Sequence, residues 1–491
     1  MQADVVLAID QGTTGTTVVA VDRNLHVIAK ENKEFRQIFP KPGWVEHDLE
    51  DIWTSTTATL QAVLARVDPR RVAAIGITNQ RETVGVWDRT TSRPIHNAVV
   101  WQCRRTTDRC QALKAAGHEA RIREQTGLVL DPYFSGTKAA WILDHVDGAR
   151  KRAEAGELAA GTIDTFLVWR LTGGAAHVTD VSNASRTMLF DLHTLKWGDG
   201  LLDLLGVPRR VLAEVKSSAE VYGVTKGVPG LPDGIPISGM AGDQQAALFG
   251  QACFEVGEAK CTYGTGAFIL LNTGYAPKAS KHGMLTTVAW QLGPQAQAEY
   301  ALEGSVFCAG AAVQWLRDGL KIIKSSSEVE ALAGSVPDSG DVVFVPALTG
   351  LGAPYWRPEA RGLIAGITRD TTSAHLARAT LEGIALQVHQ VFDAMKSDNG
   401  GLGRIKVDGG ASANDLLMQL QADLAGQEVV RPKMIETTAA GAAFLAGLGA
   451  RVFPSKGAIR DVWREDRKFQ PKDRAAADRL LDKWRRAVDR A

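Results

Sequence analysis

The chain reads as an α/β protein of two domains. Three observations predict this: strand-like and helix-like segments alternate along its length, 491 residues exceed what one core usually fills, and a strand–glycine turn–strand unit occurs twice. The first unit is Ala8-Ile9-Asp10-Gln11-Gly12-Thr13-Thr14-Gly15-Thr16-Thr17 leading into Val18 to Val21. The second is Lys260-Cys261-Thr262-Tyr263-Gly264-Thr265-Gly266 leading into Ala267 to Leu271. Glycine lets a backbone approach a polyanion closely, and successive amides and threonine hydroxyls then donate to phosphate oxygens. One such turn is what any tight hairpin needs. Two of them, facing each other across a cleft, would grip the phosphates of one nucleotide from both halves of the chain. Asp10 adds a carboxylate that can hold a divalent cation.

The remaining elements follow in order. An amphipathic helix is expected from Leu49 to Val67, a buried strand at Val72 to Thr78, and a second hairpin arm at Thr83 to Asp88. Glu157 to Thr187 reads as helix, turn and strand, and Leu201 to Val215 as a helix broken by Pro208. Gly223 to Gly234, punctuated by glycine and proline, is a surface loop or part of a linker. From Ile235 the pattern restarts, so the boundary is placed near residue 250, giving domains 1–250 and 251–491. Later come a strand at Val342 to Val345, a long helix from Ser373 to Met395, a strand at Ile405 to Val407 and a helix from Ala413 to Leu424. At the end, Leu480, Leu481, Trp484 and Val488 share one face of a basic helix, read as a docked terminal helix.

Composition narrows the function classes. Lysine and arginine number 56 against 55 acidic residues, which removes the broad positive field of a nucleic-acid binder. The cysteines at 103, 110, 253, 261 and 308 form no C-x-x-C pair, so neither a disulfide framework nor a structural zinc site is expected. The start, Met1-Gln2-Ala3-Asp4, leads straight into a strand, and the longest weakly polar stretch, Ala439 to Ala450, is too short to span a bilayer. No integral membrane segment is expected, and the cytoplasm is the simplest location.

A third nucleotide-type element is Val407-Asp408-Gly409-Gly410-Ala411-Ser412-Ala413-Asn414, where a strand ends in two glycines and a helix starts at once, with Asn414 in its first turn. That arrangement opens a slot for a planar base or ribose against bare backbone beside a helix N-terminus. The chain has no G-x-x-x-x-G-K-[ST], no G-x-G-x-x-G opening a helix and no H-R-D loop, which excludes the P-loop and protein-kinase routes to ATP. For the chemistry, Asp243 lies where a strand breaks at Gly242 and a helix begins. It could cap that helix or take the proton from an attacking hydroxyl. Arg81 and Glu82 fall at a hairpin tip and are either a solvated turn or donors and acceptors for adjacent hydroxyls. Trp101, Tyr133 and Phe268 could wall a polyol pocket, though aromatic residues are mostly core.

Several motifs carry a family resemblance: Asp10-Gln11-Gly12-Thr13-Thr14, Asn79-Gln80-Arg81-Glu82-Thr83, Val100 to Thr106, Asp131 to Lys138, Gly242 to Gly250, Tyr263-Gly264-Thr265-Gly266, Gly350 to Trp356 and Asp408-Gly409-Gly410-Ala411. In this order, from residue 5 to about residue 450, the set resembles the glycerol kinases. Arg361 to Ile367 with His375 to Glu382 is similar to the second signature of the wider carbohydrate kinase family with FGGY signatures. The resemblance implies two ribonuclease H-like (actin-like ATPase) domains with the active site in the cleft between them. It also implies ATP-dependent phosphorylation of glycerol at a terminal hydroxyl with Mg2+. Carried onto this sequence, the glycerol pocket would be Arg81, Glu82, Trp101, Tyr133, Asp243, Gln244 and Phe268. Nucleotide contacts would be Thr13, Thr14, Thr265, Gly310, Gln314, Gly410 and Asn414. Asp10 and Asp243 would attend the metal, Asp243 would be the base, and the family implies a homodimer or homotetramer.

The chain departs from that family in three respects. Thr17 stands where an arginine is common, which removes a positive charge near the transferring phosphate and implies lower ATP affinity or rate unless lysine or arginine from elsewhere compensates. Thr225 to Ile235 lacks the arginine of a sugar-bisphosphate loop, and the same region has no histidine for phosphorylation, so neither regulatory mode is expected. Two other readings remain: a kinase of the same family for another polyol or ketose, and an actin-like ATP sensor without transfer. Asp243 argues against the second, because a sensor needs no base facing a second pocket.

Overall fold

The alternating pattern folds around two large mixed sheets in a computed structural model that describes residues 3–491 except 25 and 435. In the first sheet Val5–Gln11 pairs antiparallel with Gly15–Val21, which pairs antiparallel with Val27–Glu34. On its other side Val5–Gln11 runs parallel to Val72–Asn79, and that strand parallel to Pro236–Gly242. The second sheet repeats the scheme. Ala259–Tyr263 pairs antiparallel with Ala267–Gly274, Glu299–Val306 follows antiparallel, and Ile405–Asp408 and Val429–Pro432 run parallel on the far side. The two glycine turns therefore occupy the same place in two copies of one topology.

Period-two burial explains why the first strand is apolar throughout. Val5, Leu7 and Ile9 face the core shared with helix Leu49–Leu64, while Val6 and Ala8 face the opposite layer. That layer includes helix Thr437–Gly449, so an element late in sequence covers the first sheet. Its small residues allow this: a Cβ added at Gly76 would lie 2.1 Å from the Ala442 carbonyl oxygen, and one at Gly441 would lie 1.8 Å from that of Ala246.

Several expected elements come out differently. Val84–Asp88 is not the second arm of a hairpin with Val72–Asn79. It belongs to a separate four-stranded sheet with Glu46–His47, Ala98–Val99 and Leu158–Thr162, because the chain turns out of the first sheet at Glu82, which has φ 61°. The stretch from residue 157 starts as a strand, Leu158–Thr162, before helix Ile163–Leu171. The helix near residue 200, Asp199–Leu205, ends at left-handed Gly206 before Pro208 is reached. The segment Thr225 to Ile235 is a surface loop, closed by Thr225 Oγ1 donating to the Pro232 carbonyl at 2.6 Å and pinned by buried Val228 and Leu231. The terminal helix Arg474–Val488 is docked, burying Leu481, Trp484 and Val488 with Leu480 packed partly against the same core. Among the described residues no helix is long and apolar enough to cross a membrane.

One half-buried histidine gives a testable pH effect. His177 faces the Ala160 carbonyl through Nε2 at 3.1 Å and Arg89 Nη2 through Nδ1 at 3.2 Å, and burial together with Arg89 lowers its pKa to about 4. The stabilising contribution of neutral His177 is complete above the unfolded value near 6.5. It is lost as pH falls toward and through 4, on the order of a few kcal/mol at most. Urea unfolding of the wild type and His177→Gln is expected to show a wild-type advantage at pH 7.5 that shrinks by pH 4.5; a constant difference would exclude the linkage.

Candidate functional site

The candidate residues gather at the carboxyl ends of the parallel strands, where open α/β sheets form their ligand crevices. Asp10 stands beside Thr78 in the parallel register, and Asn79 beside Gly242, so Asp10, the Asn79–Glu82 segment and Asp243 leave three adjacent strands at one edge. In the second sheet Thr262 pairs with Asp408, which brings Tyr263–Gly266 and Asp408–Gly410 together in the same way.

Arg81 and Glu82 are not a solvated turn: both are buried, at 3% and 1% exposure. Arg81 Nε lies 3.2 Å from Asp243 Oδ1 and 3.8 Å from Glu82 Oε1. Its Nη2 donates to Glu303 Oε1 at 2.9 Å, and Nη1 to Glu303 Oε2 and to Gln245 Oε1 at 3.2 Å. Arg186 Nε donates to Glu82 Oε1 at 2.7 Å and Nη2 to Glu303 Oε1 at 2.9 Å. Burial raises the Glu82 carboxyl above its usual range despite the two arginines. Burial would raise Glu303 as well, but Arg186 and Arg81 together hold it down at about 2.

Asp243 is the first residue of helix Asp243–Gly250, and Gly242 takes the cap position, so the helix-cap reading is corrected. A cap must precede the first turn for its side chain to reach back to amides two or three residues on. Here the carboxylate meets only its neighbour's amide, Gln244 N, at 2.7 Å. The hydrogen bond from Gln244 N and the ion pair with Arg81 Nε both fall on Oδ1, and the side chain keeps 32% exposure. Gln244 Oε1 accepts from Lys260 Nζ, a fully buried amine that also donates to Thr262 Oγ1 at 3.0 Å. Burial lowers the Lys260 pKa.

Two of the three aromatic candidates come together: Trp101 and Tyr133 meet edge to face with centroids 5.6 Å apart, and Trp101 Nε1 donates to Thr13 Oγ1 at 3.0 Å, joining this pair to the first phosphate-type turn. Phe268 lies across from Thr262 and Ser305 in the second sheet. Behind the first turn, Gln37 Nε2 donates to the Thr13 carbonyl at 3.0 Å and Gln80 Nε2 to that of Gly12 at 3.1 Å. Buried His47 braces both glutamines, at 2.8 Å from Gln37 Oε1 and 3.3 Å from Gln80 Nε2.

On the nucleotide side, the second turn is seated on the start of helix Gly310–Asp318. Gly310 N donates to the Gly264 carbonyl and Ala309 N to that of Thr265, each at 2.9 Å. A Cβ at Gly310 would lie 2.6 Å from the Gly264 oxygen, which explains glycine there. Thr14, Thr265, Gln314 and Gly410 are exposed, and nothing lies within 4 Å of a Cβ built on Gly410, so bare backbone faces open space. Asn414 is not in the first turn of its helix but is its N-cap, with Oδ1 accepting from Leu417 N at 2.8 Å, because Gly410–Ala413 first forms a 3-10 turn.

Asp10 lies within the electrostatic reach of Asp243. Burial first, and then the fields of Asp243 and Glu436, push it up to about 7, while Lys30 draws it down. Thr17, opposite Asp10 in the hairpin, accepts from Asn32 Nδ2 at 2.9 Å, and Lys30, whose field draws the Asp10 pKa down, is itself paired with Glu436. No group of three or more metal-ligating side chains occurs among the described residues. Two mutually repelling carboxylates suit Mg2+, which takes one or two protein carboxylates and completes its shell with phosphate oxygens and water.

Glu303, Arg186, Gln245 and Lys260 were not singled out from the sequence. The available signal was a lone carboxylate in the apolar run Ala301-Leu302-Glu303-Gly304, since a buried charge requires a partner.

Residues 5–250 match the N-terminal domain model of the FGGY family of carbohydrate kinases, and residues 259–450 match its C-terminal domain model. The chain is 60% identical over 494 residues to glycerol kinase of Myxococcus xanthus, covering 100% of both chains. It is 55% identical over 490 residues to glycerol kinase of Carboxydothermus hydrogenoformans, covering 99% of this chain and 98% of the other. Among solved structures, Plasmodium falciparum glycerol kinase with ADP superposes with a TM-score of 0.94 at 37% identity, covering 100% of this chain and 98% of that one. Gluconate kinase from Lactobacillus acidophilus, at 23% identity and a TM-score of 0.90, shares the fold.

Proposed function

The chain belongs to the FGGY family of carbohydrate kinases, and on that premise we propose that it transfers the γ-phosphoryl group of ATP to a terminal hydroxyl of glycerol, giving sn-glycerol 3-phosphate and ADP. The observation that carries this reading is the cluster of buried Arg81 and Glu82 with half-exposed Asp243 at the strand ends beside two topologically equivalent glycine turns. Residues 1–250 supply the glycerol pocket and first turn, and 251–491 the second turn and adenosine slot.

In this reading Asp243 accepts the hydroxyl proton as the oxygen attacks. Arg81, Glu82 and Gln244 bind the glycerol hydroxyls, and Trp101, Tyr133 and Phe268 cover the carbon backbone. Lys260 fixes the Gln244 carboxamide, which leaves its amide nitrogen to donate. Thr13, Thr14, Thr265, Gly310, Gln314, Gly410 and Asn414 contact the nucleotide. Asp10 and Asp243 would hold Mg2+, which when bound neutralises phosphate charge. Positioning and charge stabilisation then do most of the work, as in phosphoryl transfer generally, and closing the cleft excludes water that would hydrolyse ATP. A cytoplasmic location fits five cysteines that are all unpaired and buried, and the family resemblance favours a homodimer or homotetramer.

The deciding assay couples ADP release to purified protein with magnesium, comparing glycerol with xylulose, ribulose, erythritol and dihydroxyacetone and with no acceptor. Strong turnover with glycerol alone is expected; turnover independent of acceptor would overturn the reading. In the same assay Glu82→Ala is expected to raise the glycerol KM about 10- to 100-fold, the scale of a lost hydrogen bond to a charged group, with far less effect on the ATP KM. The reverse pattern would remove Glu82 from the pocket.

A further inference from the structure

Five charged side chains form an alternating row through the cleft: Glu82, Arg186, Glu303, Arg81 and Asp243. Contacts run from Glu82 Oε1 to Arg186 Nε at 2.7 Å, from Arg186 Nη2 to Glu303 Oε1 at 2.9 Å, from Glu303 to both terminal nitrogens of Arg81, and from Arg81 Nε to Asp243 at 3.2 Å. The two ends are the residues assigned to the glycerol hydroxyls and to the base. The centre, Glu303, is fully buried and stands on strand Glu299–Val306 of the second sheet, whereas the other four come from the first half of the chain.

We propose that Glu303 is a positioning residue for the transfer reaction, acting through Arg186 on Glu82 and through Arg81 on Asp243, so that the second half of the chain sets the geometry of the acceptor site in the first. The inference rests on the glycerol kinase reading. Its physical basis is that a guanidinium is a planar fork whose direction is set by the carboxylate it grips. Arg81 spends both terminal nitrogens on Glu303, which leaves Nε facing Asp243 at 3.2 Å and, less closely, Glu82 at 3.8 Å. Arg186 spends Nη2 on Glu303, which leaves Nε aimed at Glu82. Arg186 Nη1 is buried without a hydrogen-bond partner among the described residues, so the remaining contacts alone hold that side chain. Glu303 also pairs with Leu270 in the strand register, two positions from the Phe268–Ser305 pair, and its strand leads to Gly310 seven residues later. The strand that carries the centre of the row therefore leads into the helix that seats the second phosphate-type turn.

The test separates charge from volume at position 303. Glu303→Gln keeps shape and loses charge; Glu303→Asp keeps charge and loses a methylene. A positioning carboxylate predicts that Glu303→Gln lowers kcat/KM for glycerol about 100-fold, the scale of a misplaced catalytic group, and that Glu303→Asp retains more activity than Glu303→Gln. A packing role predicts the opposite order, and that order would overturn the proposal. Arg186→Gln is read independently, with an expected rise in glycerol KM of about tenfold and an ATP KM within about threefold of wild type. If Glu303→Gln does not fold by circular dichroism, Glu303→Asp and Arg186→Gln carry the test, and a wild-type glycerol KM in folded Arg186→Gln overturns it. Wild type is measured alongside: turnover in wild type with unchanged variants refutes this inference alone, while wild type inactive on glycerol refutes the reading beneath it.

Discussion

Asp243→Asn is expected to lower kcat by roughly 10²- to 10⁴-fold, the contribution of a positioned general base, while nucleotide binding stays near wild type. The ion pair with Arg81 Nε and the hydrogen bond from Gln244 N both fall on Oδ1 of this carboxylate. An asparagine oriented with its oxygen at that position keeps both bonds, so the local structure survives. What it loses is the ability of the outer oxygen to accept a proton at the moment the substrate oxygen attacks. The nucleotide candidates Thr265, Gly310, Gly410 and Asn414 stand on other elements and are untouched. Single-turnover phosphoryl transfer and fluorescence titration with ADP would be measured on the same preparation. Near-normal transfer would remove Asp243 from the proton step.

Gly441→Ala is the second large effect, and it acts without touching the chemistry. Helices Asp243–Gly250 and Thr437–Gly449 cross so closely that a Cβ at Gly441 would lie 1.8 Å from the Ala246 carbonyl oxygen, and one at Gly250 1.9 Å from that of Thr437. Backbone oxygens cannot rotate aside as side chains can, so the helices must separate. Overpacking of this kind costs about 1–3 kcal/mol or more. The first of these helices begins at Asp243 and the second packs on strands Val72–Asn79 and Pro236–Gly242, which feed Arg81 and Asp243 into the site. A lower melting temperature accompanied by lower kcat is expected. An unchanged melting temperature in differential scanning calorimetry would show that this crossing yields freely.

The legible part of the site lay in local patterns. Glycine turns are readable because a backbone that must approach a ligand or another strand tolerates no side chain, and both phosphate-type turns do occupy equivalent hairpins. Gly310 is reached through family resemblance and Asn414 through the strand–glycine–helix pattern, and the structure supplies a local reason for each in a glycine seated on a carbonyl and a helix cap. Errors arose where local pattern competed with long-range pairing. An apolar strand, a polar turn and another apolar strand look like a hairpin, yet Val84–Asp88 pairs with Leu158–Thr162 instead of with Val72–Asn79.

By itself the sequence determined the alternation of strands and helices, the positions of the glycine turns and the apolar faces, because these depend on steric and hydrophobic properties of neighbouring residues. Only the tertiary structure decided that Arg81 and Glu82 are buried, that Glu303 joins them from 222 residues away along the chain, and that the weakly polar helix Thr437–Gly449 covers the first sheet. A buried charge is stable only beside its counter-charge. Which counter-charge that is depends on how two distant sheets meet, and no local run of residues carries that information.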